Sequence, residues 1–228
     1  MLNTTKQLMI IHPSRGRPQM AKKAMKQIIS SMSTSIRFTY YLSLDSDDLT
    51  LGSYQNIFSD SRVQLVIGDN PHEVVQATNR AAENIQEEKV ILCHTDDYFF
   101  GNGWDRILFD FVNNIDADVF LIHFPSVRNS KNKAIPQVLS AGLYKKLGYI
   151  FYPKYISMYA DDDLYHTAKS LNVIHTLRDW PMKHRNPVFG FGKRDITSKR
   201  TNRPEAFQLG RRILGERKNR KFKEIKMI

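Results

Sequence analysis

Two adjacent acids, Asp96 and Asp97, follow the apolar run Val90, Ile91, Leu92, Cys93 and precede a group of aromatics. The run has the length and side-chain type of a buried strand. Neighbouring side chains on a strand point to opposite faces, and a carboxylate beside a buried strand is costly unless something pairs with it. A hard divalent cation bound to phosphate is such a partner. Three more acids, Asp161, Asp162 and Asp163, stand together before Leu164. Their mutual repulsion can raise one pKa toward a range useful for proton abstraction. Arg15 and Arg17 flank Gly16 in a loop that opens at Ser14, and guanidinium forks there suit a nucleotide base or a diphosphate. Arg80, one helical turn beyond Gln76, can face the same pocket. Trp104 offers a ring that stacks on a sugar or base, and it is assigned with Asp163 to the acceptor side.

These side chains need elements to hold them. Residues 8–11 form a short apolar strand that runs into the turn-rich segment 12–18, and Pro18 suits a first helical turn. Met20, Ala21, Ala24, Met25, Ile28 and Ile29 then recur with helical spacing. A second strand, 37–44, ends at the acids Asp45, Asp47 and Asp48, and a third spans 63–67. Asn70, Pro71, His72 and Glu73 read as a helix start, with Val74, Val75, Thr78, Ala81, Ala82 and Ile85 as its buried stripe. A helix is expected over 104–112, a strand over 118–124 and another helix from the three acids to Leu171. Strands alternating with helices predict an α/β sandwich around a mostly parallel sheet. Ligands sit outside the carboxyl ends of such strands. The polar loops 14–17, 45–48 and 95–98 would then share one edge.

The composition narrows the classes. With 228 residues, 41% hydrophobic and 11% aromatic, the chain can build a packed core of one domain, which excludes global disorder. No apolar run approaches a membrane span, the N-terminus has no signal-peptide apolar region, and the single cysteine fits a reduced compartment, so a cytoplasmic protein is expected. The loop 14–17 has neither a Gly-x-Gly-x-x-Gly pattern nor a Lys-Ser/Thr ending, which excludes dinucleotide and P-loop sites. No pair of histidines has zinc-ligand spacing. The net charge of +11 is uneven: residues 193–228 carry 13 Lys/Arg against 4 Asp/Glu. That asymmetry points to an anionic partner near the C-terminus, with a solvated tail as the competing reading.

A strand entering a basic loop, a strand ending in Asp-x-Asp, a helix carrying Asn79 and Arg80, a strand ending in Asp-Asp and a later Asp-x-Asp-Leu occur here in that order. Over roughly residues 8–190 this resembles the GT-A fold glycosyltransferases, especially small family-two-like enzymes. The resemblance implies a three-layer sandwich with a nucleotide-sugar-binding half (1–115), an acceptor-binding half (116–192) and a basic C-terminal extension (193–228). It implies a donor nucleotide whose base meets Asp45 or Asp47, and Mn²⁺ or Mg²⁺ on the diphosphate. The family's metal motif is Asp-x-Asp, whereas this chain has Thr95-Asp96-Asp97. Both acids therefore stay in contention, with Asp97 taken as the ligand and Asp96 as a contact to ribose or a metal-bound water. By the same resemblance Asp161, with Asp162 as the alternative, is the general base of an inverting transfer, and His184, with His175 behind it, completes the metal site. The expected acceptor is nucleic acid, held by the basic extension; a hydroxyl on a modified DNA base is a concrete example. A cell-envelope precursor is the second acceptor. Nucleotidyl transfer and nucleic-acid binding without catalysis are the alternative functions.

Overall fold

The computed structural model describes residues 8–33, 36–58, 60–69, 73–86, 88–127, 133–185, 190–191 and 195–222. The first half alternates as the sequence predicts. Strand β1 (Leu8–Pro13) leads to helix α1 (Pro18–Ser30), β2 (Phe38–Asp45), α2 (Leu51–Ile57), β3 (Val63–Gly68), α3 (Val74–Ala82) and β4 (Val90–Cys93). Next come β5 (Tyr98–Phe100), α4 (Trp104–Val112), β6 (Leu121–His123), β7 (Val138–Ser140), α5 (Ala141–Leu147) and α6 (Ala160–Ser170). The chain continues through β8 (Ile174–Thr176), β9 (Met182–His184), α7 (Ile196–Thr201) and α8 (Pro204–Asn219). The expected helix start at Asn70, Pro71 and His72 lies outside the described residues.

Seven strands form one sheet in the order β3-β2-β1-β4-β7-β6-β8. The β1–β2, β1–β4, β2–β3 and β6–β8 pairs are parallel, and β7 opposes both of its neighbours. The apolar runs of β1 and β4 are buried along their length, as strands covered on both faces must be. Successive side chains serve opposite cores. Leu8, Ile10, Leu92 and Leu42 pack with Trp104 on one face, while Met9, Ile11, Ile91 and Tyr41 pack with Val75, Leu164 and Leu214 on the other. Helix α1 begins at Pro18 and turns Ala21, Ala24, Met25 and Ile28 inward.

The described part of the basic extension, residues 195–222, is mostly helical and docked. Ile213 and Leu214 of α8 join the core with Leu164 and Ala168 of α6, and a Cβ at Gly210 would collide with the backbone of Met158. A tail solvated along its length does not describe it: Arg203 and Arg217 turn inward to pair with Glu73 and Asp163.

Candidate active site

Strand β1 has β2 on one side and β4 on the other, so the chain leaves their carboxyl ends in opposite directions and opens a crevice there. His12, near the end of β1, is fully buried in this crevice. Its Nε2 lies 3.0 Å from Oδ1 of Asp96, and its Nδ1 lies 2.5 Å from the Tyr40 hydroxyl. Burial raises the Tyr40 pKa, so that hydroxyl keeps its proton, and because a carboxylate only accepts, His12 Nε2–H donates to Asp96. Arg17 lies 3.5 Å from the other Asp96 oxygen. Both Asp96 oxygens are therefore engaged by the protein. Asp97 is fixed through its backbone, its N–H donating to Thr95 Oγ1 (3.2 Å) and its carbonyl accepting from the Arg185 N–H (2.8 Å).

A two-stranded ribbon of β5 and β9 crosses the crevice and sets Tyr98 opposite His184. Their rings meet edge to face at 5.1 Å, and burial pushes the His184 pKa down to about 4. This pair, with Pro13, Val74 and Thr95, lines both of two adjoining cavities. The first, about 190 Å³, is lined by Ser14, Arg15, Arg17, Asp45, Asp96 and Asp97. The second, about 390 Å³, is lined by Asp161 and Lys133 together with apolar groups that include Phe151, Tyr159 and Phe207.

At the far end of the first cavity Arg15 reaches Asp45 (3.0 Å) and both oxygens of Asp47 (2.5 and 3.0 Å). Gly16 makes this loop possible: its φ of +67° is left-handed, and its N–H donates to Asp48 at 2.8 Å. Asp47 does not line the cavity and is half exposed. Ser14 does line it, with its hydroxyl 2.8 Å from that of Tyr54. Arg80 does not reach the cavity as the sequence suggests. From α3 it donates to Ser43 Oγ (3.1 Å), the Leu44 carbonyl (2.7 Å) and Asp45 (3.2 Å), bracing the end of β2. Only glycine leaves room for it, because a Cβ at residue 68 would clash with the guanidinium.

In the second cavity Lys133 lies 3.8 Å from Asp161 and 3.0 Å from Asp162. Burial pushes the Asp161 pKa up to about 6; Lys133 opposes the shift and Asp162 adds to it. Successive helical residues diverge by about 100°, and Asp163 accordingly points away. It is 1% exposed, 2.7 Å from Nε of Arg217 and 3.0 Å from the Tyr155 hydroxyl. Its assignment to the acceptor is corrected to a structural ion pair. Trp104 is likewise a core residue: it is fully buried, its Nε1–H donates to the Ile28 carbonyl at 3.1 Å, and Phe100 lies 5.0 Å away. His175, on β8, lines neither cavity.

The sequence pattern did not single out Lys133, His12 or α7. A histidine in an apolar strand beside a basic loop was the available signal for His12. Helix α7 completes the first cavity. Asp195 caps it through the Ser198 N–H (2.7 Å) and accepts from Arg17 Nε (2.6 Å) and Nη2 (2.5 Å), which holds the Asp195 pKa down to about 2. Thr197 Oγ1 donates to the Arg15 carbonyl at 3.0 Å, and Thr197, Arg200 and Thr201 line the cavity.

Among the described residues no three His, Cys, Asp or Glu side chains form a ready-made metal cluster. The residues fit a cation that arrives with a diphosphate. Asp97, in the turn that leads into β5, and a neutral His184 on β9 line one cavity, and oxygen-loving ions commonly take only one or two protein ligands alongside phosphate. Among the described residues no helix is long and apolar enough to cross a membrane.

No protein-family profile matches the sequence, and no curated protein sequence matches it. Solved structures do match. TarS from S. aureus (residues 1–349), in complex with UDP-GlcNAc, superposes with a TM-score of 0.69 at 16% identity over 92% of this chain and 66% of that one. The mannosyltransferase PcManGT from Pyrobaculum calidifontis, with GDP-Man and Mn²⁺, gives 0.61 at 12% identity over 95% of this chain and 76% of that one. A Drosophila β1,4-galactosyltransferase 7 variant with manganese, UDP-Gal and xylobiose gives 0.55 at 10% identity over 86% and 79%. This chain spans 60–66% of the TarS 1–349 chain. The protein has the GT-A glycosyltransferase fold.

Proposed function

We propose that the protein is a metal-dependent glycosyltransferase that moves a sugar from a nucleotide donor to an acceptor hydroxyl with inversion. One observation carries the reading: a cavity bearing Asp97 and a cavity bearing Asp161 share a wall that includes Tyr98 and His184. The nucleotide sugars bound by TarS and PcManGT support the donor class. Arg15 and Asp45 frame the base, and Asp96, steadied by His12 and Arg17, meets the ribose. Asp97 and His184 would hold Mn²⁺ or Mg²⁺, which when bound offsets the charge growing on the departing diphosphate. Asp161 accepts the acceptor hydroxyl's proton as the new glycosidic bond forms and the bond from sugar to phosphate breaks. Lys133 keeps that carboxylate ionised beforehand.

For the acceptor we favour nucleic acid. Arg211, Arg212, Lys218, Arg220 and Lys221 are exposed on and after α8. Phe207, which lines the second cavity, precedes Arg211 by one turn of the same helix. A base extruded into an aromatic-lined cavity beside such a rim presents its hydroxyl to Asp161. The test is incubation with a panel of sugar nucleotides, Mn²⁺ and hydroxymethylated DNA. Release of nucleoside diphosphate is expected; release of pyrophosphate would mean nucleotidyl transfer, and transfer to a lipid-linked or polysaccharide precursor alone would move the acceptor to the cell envelope.

A further inference from the structure

Helix α7 is held in place by three contacts to residues outside it. Asp195 pairs with Arg17, Thr197 binds the Arg15 carbonyl, and just beyond the helix Arg203 lies 2.6 Å from Glu73. The outcome is that Arg200 lines the first cavity, while its neighbour Lys199 faces solvent. Resting on the donor reading above, we propose that Arg200 pairs with the donor's diphosphate, which makes α7 a wall of the donor site.

The argument is one of charge left unmatched. Arginines that hold this fold together are visibly paired, as Arg203 is with Glu73 and Arg217 with Asp163. The Arg200 side chain has no ion pair among the described residues. The two carboxylates whose fields reach it are engaged elsewhere, Asp45 by Arg15 and Arg80, Glu73 by Arg203. Burial, and then the nearby charge of Arg15, push the Arg200 pKa below its ordinary value. A half-buried cation facing other cations lacks an anion. Arg200 and Asp97 line the same cavity, so an anion that pairs with Arg200 there shares that cavity with the candidate metal ligand. A diphosphate has the charge and the acceptor oxygens to meet that guanidinium fork.

Titration calorimetry with UDP, GDP and CDP, and with the matching nucleosides, in Mn²⁺ tests this. Arg200→Gln should weaken the best-bound nucleoside diphosphate by roughly 10- to 100-fold, the range of a charge-assisted pair. Nucleoside affinity and thermal midpoint should stay unchanged, and Arg200→Lys should recover part of the loss. Lys199→Gln, which removes the same charge from the outer side of α7, should bind like the parent. Equal diphosphate affinity in Arg200→Gln and the parent overturns the Arg200 assignment alone. A parent protein that binds no nucleoside diphosphate overturns the donor reading together with it.

Discussion

The Asp163 carboxylate lies 2.7 Å from Nε of Arg217, with both side chains at most 3% exposed. Of the three adjacent acids, one is thus spent on docking α8, and the pair leaves Asp161 facing the cavity. Thr167 and Tyr155 also bind this carboxylate, and the Arg217 guanidinium lies 3.8 Å above the Tyr152 ring.

Removing one partner of a buried pair strands the other charge. Arg217→Met should cost about 3–5 kcal/mol of stability, whereas the exposed Arg211→Met should change it by about 0.5 kcal/mol or less. Urea unfolding of the two variants separates them.

Trp104 is expected to act through packing alone. Trp104→Ala should destabilise by about 3–5 kcal/mol. At a temperature where the variant is folded, its Michaelis constant for acceptor should equal the parent's; a selective rise in that constant would return Trp104 to the acceptor site.

Turnover should depend on the ionisation of Asp161, whose pKa is pushed up to about 6. A base works deprotonated, so kcat should hold above that pH and fall about tenfold per unit below it. A pH–rate profile at saturating substrate and metal checks this.

If nucleic acid is the acceptor, three to five phosphate contacts along α8 should make binding salt-dependent. Duplex affinity should drop roughly 10²-fold between 50 and 200 mM salt. Filter binding checks it, and the slope should flatten in an Arg211→Gln, Arg212→Gln double variant.

Much of the scaffold was legible because it obeys short-range rules. The strand Val90–Cys93 and the helix Trp104–Val112 appear within the bounds their patterns set. The apolar period could not reveal the ribonlike pairing of Tyr98 with His184, since three-residue strands joined across 86 positions carry no local signal. Charge counting also failed at the C-terminus. It registered Arg203 and Arg217 as surface basicity, although their acids lie 130 and 54 residues away. Trp104 was assigned from its nearness in sequence to the acids, yet the turn of α4 carries it into the core. His12, Asp96 and Arg17 meet only because the sheet order makes β1 and β4 neighbours.

The most direct test is the turnover of Asp161→Asn at saturating donor, metal and acceptor. The substitution keeps the shape of the cavity and removes the proton acceptor. Turnover should fall by about 10²- to 10⁴-fold. Turnover equal to the parent's would contradict a transfer in which Asp161, across the Tyr98–His184 wall from Asp97, takes the hydroxyl's proton.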